Sequence, residues 1–233
     1  AQVDSIRYFE DVIMTSAHNS LVYSSILTRT IMDPKYFYGV RVEACRALSK
    51  FVYRPGESFF GGPRHLIKAF QSLFCFEDSS VPRSNNFEQV SNYLLQKRIV
   101  ECLSDVKNEH GETPGFVKEF LLGLLTYNDN TDNPYMDHAY VCTLIKSATT
   151  CCVYDKGNKN FIDRVLEQLT RYENLEEWTQ SYDYSISNEI LLQRLNMYAN
   201  GLYEFERIDE IFETCLEDAD TSAINILRKR EGL

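Results

Sequence analysis

Apolar residues recur every three or four positions along nearly the whole 233-residue chain, in stretches of about 12–18 residues separated by short polar turns. That spacing lines one face of a helix, and no run of six or more residues shows the alternation of a strand. The first candidate helix covers residues 3–16, with Ile6, Phe9, Val12 and Ile13 on one face. The second covers 19–32 and stops at Asp33-Pro34, because proline cannot continue a helix. A third, 39–52, carries Val40, Ala44, Ala47, Leu48 and Phe51 on its core face, with Glu43, Arg46 and Lys50 on a solvated one.

Gly61-Gly62-Pro63 marks a turn and a fourth helix start, with Pro63 near the first helical position. A long periodic stretch, 87–106, is expected to break near Gln96. Thr113-Pro114 reads as a capping hydroxyl followed by a helix-starting proline, and the helix it opens ends at Asn128-Asp129-Asn130. Further helices are expected at 135–152, 160–173, 187–200 and 205–217, with another opening after Asp220. A pair with its turn takes about 40 residues, the period of HEAT and armadillo arrays. The expected fold is therefore all-α, an α-solenoid of HEAT/armadillo-like helix pairs forming one repeat domain over residues 1–233. The chain begins without Met and its last helical pattern is cut short, so it reads as a piece of something longer.

One segment sharpens the repeat assignment. Val40-Arg41-Val42-Glu43-Ala44-Cys45-Arg46-Ala47-Leu48 fits the HEAT inner-helix pattern V-R-x-x-A-x-x-A-L without a mismatch. The alanines let neighbouring helices approach closely, Val40 and Leu48 fill the core between repeats, and Arg41 is placed to pair with Asp33.

Charge narrows the partners. Residues 1–100 carry 12 basic and 9 acidic side chains, a net +3, whereas residues 101–233 carry 12 and 25, a net −13. The acidic part repels nucleic acid, and the positive charge of the first hundred residues is interleaved with acids, so little or no direct DNA binding is expected. No run of about 18 apolar residues is present to span a membrane, and residues 1–10 lack the apolar core of a secretory signal. Seven scattered cysteines without a C-x-x-C spacing suit reduced, buried thiols of an intracellular protein.

Chemistry-bearing motifs are missing. None of His18, His65, His110 and His138 is followed by Glu, and no G-x-S-x-G, G-x-x-x-x-G-K-[ST] or G-x-G-x-x-G occurs. His138 and Cys142 lie one helical turn apart, but two ligands without a second pair make a packed histidine the better reading. The carboxylates of Glu204–Asp220 lie on the polar face of a periodic helix. No catalytic, cofactor-binding or metal-binding residue is assigned, and no cofactor is expected. Trp178 sits in a polar segment, either exposed as a partner anchor or, the preferred reading, half-buried beneath a loop.

Four segments carry a family resemblance: LTRTIMDPKYFYGVRVEACRALSKF at Leu27–Phe51, SNNFEQVSNYLLQKRIVECL at Ser84–Leu103, FLLGLLTYNDN at Phe120–Asn130 and YMDHAYVCTLI at Tyr135–Ile145. In order and spacing they resemble the helical-repeat region of the second subunit of the general transcription factor TFIID, a TBP-associated factor, with a fungal character. The resemblance covers residues 20–150 well. It implies a nuclear, non-catalytic scaffold in RNA polymerase II preinitiation complexes at promoters, docked by the histone-fold subunit eight and by the largest subunit. No family motif maps those contacts to residues here, so partner-binding residues stay unassigned. Two alternatives stay open on the sequence: the C-terminal helical domain of an M1-type zinc aminopeptidase, and an unrelated cytosolic HEAT adaptor.

Overall fold

A computed structural model describes residues 2–15, 20–51, 53–54, 57–58 and 60–204. Among them are nine α-helices: α1 (Gln2–Thr15), α2 (Ser20–Met32), α3 (Tyr38–Ser49), α4 (Gly61–Phe74), α5 (Val90–Ser104), α6 (Gly115–Thr126), α7 (His138–Tyr154), α8 (Lys159–Trp178) and α9 (Ser185–Ala199). The all-α expectation holds. The helical patterns read at 205–217 and after Asp220, with the Glu204–Asp220 carboxylates beyond Glu204, lie outside the described residues. One extended element escaped the sequence reading. Strands β1 (Tyr53–Arg54) and β2 (Glu57–Ser58) pair antiparallel, Tyr53 opposite Ser58 and Arg54 opposite Glu57. Two residues per strand are too few to show alternation.

The chain divides into two compact units, Ala1–Asp137 and His138–Leu233. In the first, α3 is the hub and packs against α1, α2, α4 and α5. Its buried face is the expected one: Val40, Ala44, Ala47, Leu48 and Phe51 are all buried, with Cys45 beside them. Its opposite face differs from expectation. Glu43 and Arg46 are largely covered, because α1 lies across them and Arg7 of α1 donates to the Glu43 carboxylate at 3.1 Å, while Arg46 donates to the same oxygen at 2.6 Å. Burial alone would raise the Glu43 pKa, but the hydrogen bonds from Arg46 and Arg7 outweigh it and leave the carboxyl below its ordinary value. Only Lys50 of the three is exposed.

Arg41 also departs from the reading. It is buried, and its Nε donates to the Ile31 carbonyl at 2.8 Å and its Nη1 to Asn92 at 3.5 Å. The Asp33 carboxylate instead accepts the Lys35 amide at 2.9 Å, and acts on Arg41 only through its charge, as burial pulls the guanidinium pKa down. The arginine ties the end of α2 to the start of α5 across α3.

Two helix signals behave differently from their sequence reading. α5 runs unbroken through Gln96, which is buried and bonded rather than a break. Thr113 does not cap α6; Pro114 is the capping residue, no side chain caps the helix, and the Thr113 hydroxyl is buried without a partner. Six cysteines, 45, 75, 102, 142, 151 and 152, are free thiols, all buried except the half-buried Cys142. Burial pushes the Cys75 and Cys102 thiols up to about 11, so both stay protonated at neutral pH. Cys215 lies outside the described residues.

In the second unit α7 packs on α8 and α9, and α8 on α9. Asn158 caps α8, its side chain accepting from the Phe161 amide at 3.2 Å. α8 extends to Trp178, five residues beyond the expected end, and its buried face continues from Tyr172 to Glu176, a charged residue that breaks the apolar period.

Candidate interaction surfaces

A buried polar clamp holds two loops of the first unit together. The segment before α5 meets the segment after α6, and Asn85 sits at the junction, 5% exposed. Its amide nitrogen donates to Asn128 at 3.1 Å, Asn130 at 3.3 Å and Asp137 at 3.5 Å. Its side-chain oxygen accepts from Gln96 at 3.3 Å, and its backbone amide donates to the Asp129 carbonyl at 2.8 Å. Asn128 donates in turn to Asp137 at 2.8 Å, and the Asn133 oxygen accepts the Phe87 amide at 3.4 Å. All of these residues except Asn133 come from three of the four segments that carry the family resemblance. Read along the sequence, Asn128-Asp129-Asn130 signals only a helix stop; Asn85, which bonds all three, is more than 40 residues away, which no local pattern can show.

Such a network is costly to break, because Asn85 and Gln96, which bond each other, are both buried and removing one leaves the other's amide without its partner. Asn85→Ala should therefore lower unfolding stability by about 1–3 kcal/mol, measured by denaturant titration. A loss below about 0.5 kcal/mol would mean the clamp contributes little.

Beside this clamp, α4 and α6 flank a groove of about 570 Å³ lined by Arg64, Ile67, Lys68, Phe116, Phe120 and Gly123 among others. The Arg64 guanidinium lies over the Phe116 ring, 4.3 Å from its centre, and Phe70 meets Phe120 edge-on below. Gly123 has nothing within 4 Å of where a Cβ would stand. A helical glycine in open space lowers helix stability for no packing gain, so Gly123→Ala should raise stability by about 0.5–1 kcal/mol. A fall in the unfolding midpoint would show that the site is tighter than this.

The second unit carries a different surface at the end of α8. Trp178 is 87% exposed, Tyr182 79%, Tyr184 54% and Leu175 52%. The half-buried tryptophan expected from sequence is not found, since no loop covers the indole. The Glu176 carboxylate nearby in sequence is buried, and it accepts from the Ser181 amide at 3.1 Å, the Ser181 hydroxyl at 2.7 Å and the Ser187 hydroxyl at 3.2 Å. The Ser181 oxygen accepts the Ile186 amide at 3.1 Å. His138 and Cys142, the pair weighed as metal ligands, are spent on this same segment: His138 Nδ1 accepts the Tyr182 amide at 3.1 Å, and the Cys142 thiol donates to the Ser185 carbonyl at 3.4 Å.

Those bonds hold a turn that is strained on its own. Asp183 and Tyr184 both have left-handed backbone, at φ 53° and φ 50°. For residues other than glycine this costs about 1–2 kcal/mol each, and it aims the two tyrosines outward.

Comparison with known proteins fits this architecture. A family profile described as "TAF2-like, TPR repeats" matches residues 1–203. The profile describes its repeats as TPR and the Val40–Leu48 pattern is of HEAT type; both are stacked helix pairs. The chain is 47% identical to "Transcription initiation factor TFIID subunit 2" of Saccharomyces cerevisiae over 208 residues, 89% of this chain and 15% of the relative. The protein of that name from Schizosaccharomyces pombe is 31% identical over 215 residues, 88% of this chain and 18% of the relative. The Drosophila melanogaster protein is 31% identical over 174 residues, 69% of this chain and 14% of the relative. The chain thus spans less than a fifth of the length of these relatives. With a match that runs from the first helix through the last one described, the chain belongs to the TAF2-like family of helical-repeat proteins.

Proposed function

We propose that the chain is a non-catalytic scaffold segment of a TFIID subunit two, holding other TFIID subunits in place during assembly of the RNA polymerase II preinitiation complex at promoters. The observation that carries this reading is the family match across every described helix, with relatives named as that subunit. The setting is then the nucleus, and the partners implied by the resemblance are the histone-fold subunit eight and the largest subunit. Neither an aminopeptidase domain nor an unrelated adaptor is favoured by these relatives. The surfaces described support protein contact rather than chemistry: a groove, an aromatic turn, and buried polar bonds that fix loops in place. Among the described residues no three His, Cys, Asp or Glu side chains converge as metal ligands, and none of the helices is long and apolar enough to cross a membrane.

Retention of the two named subunits by the immobilised chain, run beside a titration with duplex DNA, tests the reading. Both subunits should be held, and duplex should bind negligibly at physiological salt, since the net charge of −13 over residues 101–233 opposes phosphate contact. Sub-micromolar duplex binding with neither subunit retained would replace the scaffold with a DNA-binding module.

A further inference from the structure

We propose that the turn after α8 is a docking site for an arginine-bearing segment of a partner protein, stacked on Trp178, Tyr182 and Tyr184 and paired with the Glu177 carboxylate. The proposal rests on the scaffold reading above and names the chemistry of one partner contact.

Three observations converge on it. The apolar groups are large and outward-facing: Trp178 and Tyr182 are the two most exposed aromatic side chains described, and Leu175 lies one turn before Trp178 on α8. Tyr182 follows Trp178 by four positions, so their backbones stand within about 14 Å even if the chain is extended. The display is built rather than incidental. Five side chains, Glu176, Ser181, Ser187, His138 and Cys142, are committed to fixing a turn whose backbone is left-handed at two consecutive non-glycine residues. Strain of this kind persists only where the surroundings enforce it, and it is concentrated at ligand-binding positions. A pre-set turn also loses little freedom when a partner docks.

The charge then selects the occupant. From Tyr172 to Gln193 the chain has five acids, Glu173, Glu176, Glu177, Asp183 and Glu189, and no Lys or Arg. Glu173 is paired with Arg194 at 2.6 Å, Glu176 is occupied under the turn, and Glu189 accepts from Gln193 at 2.7 Å. Glu177, next to Trp178, has an exposed side chain. Aromatic faces beside carboxylates favour a cation that is planar and carries several donors. Arginine stacks on the ring and reaches the carboxylate with the same group, whereas lysine offers a strongly hydrated point charge. A nucleic acid would meet these acids as like charge.

The chain contains one tryptophan, so its fluorescence reports on this site alone. The 233-residue chain is titrated with an octapeptide of alternating glycine and arginine, and with its lysine and glutamate counterparts. The arginine peptide should change Trp178 emission saturably, with the lysine peptide at least about 3-fold weaker and the glutamate peptide silent. Glu177→Gln and Tyr182→Ala, both at exposed side chains, should each weaken the arginine peptide at least about 3-fold, with unchanged circular dichroism and melting. No saturable change up to millimolar peptide, equal response to the lysine or glutamate peptide, or unaltered affinity in both variants would overturn the proposal. So would a spontaneous red shift of emission when Arg228, Lys229 and Arg230 are replaced by Ser, which would make the chain's own basic run the occupant. Retention of TFIID subunits is read separately, so either result can fail while the other stands.

Discussion

Leu48→Ala is expected to destabilise the chain by about 2–5 kcal/mol, enough to unfold a domain of ordinary stability in part at 37 °C. Leu48 is fully buried at the end of α3, the helix against which α1, α2, α4 and α5 all pack. Ala44 and Ala47 on the same face are already small, so no neighbouring side chain on α3 can swing in to fill the space. The cost should therefore fall toward the upper part of the range, where a cavity persists. Lys50→Ala, two residues on and exposed, should stay within about 0.5 kcal/mol. Equal losses from the two changes in denaturant titration would mean that the buried face of α3 is wrongly placed.

Gly62→Ala should act at the same junction through the opposite fault. A Cβ at position 62 would fall inside the Leu48 carbonyl group and 2.8 Å from the Phe51 Cβ. The obstruction is mainly backbone, and it cannot rotate away as a side chain would. The Gly62 amide also donates to the Phe51 carbonyl at 3.1 Å, which fixes α4 against the end of α3. One methyl group must then push the two helices apart, at about 3 kcal/mol. The comparison with Gly123→Ala is instructive: the same substitution inside a helix should destabilise at one position and stabilise at the other, because one Cβ meets backbone and the other open space. A Gly62→Ala chain that melts like the parent would contradict the close approach of α3 and α4.

The fold was legible where the information is local. The core face of α3 follows from spacing alone, since every position that spacing assigns to the interior is buried. Helix ends near Pro34 and just before Asn128 follow from turn chemistry. Reading failed where a distant element decides the environment. Glu43 and Arg46 have the composition of a solvated face, and only the course of α1 over them covers them. Thr113 looks like a cap, yet the chain enters α6 with Pro114 in the capping position. Gln96 resembles an interruption until Asn85, 11 residues earlier, is seen to accept its amide.

The interaction surfaces were harder to read for the same reason. Trp178 stands out in the sequence, but the course of the turn after it depends on bonds from Glu176, His138 and Cys142. Two of those residues had drawn attention as possible metal ligands. Their roles here are to accept and donate single hydrogen bonds to a strained turn, a task that leaves no motif in the sequence.

The central claim is that these helices hold neighbouring subunits of TFIID. Chemical cross-linking of lysines in the assembled complex, followed by mass spectrometry, tests it most directly. Lys68 lines the groove between α4 and α6, Lys159 opens α8, and both side chains are exposed. The account predicts links from at least one of them to other TFIID subunits, foremost subunit eight or the largest subunit. A complex in which both lysines react but link only within their own chain would contradict it.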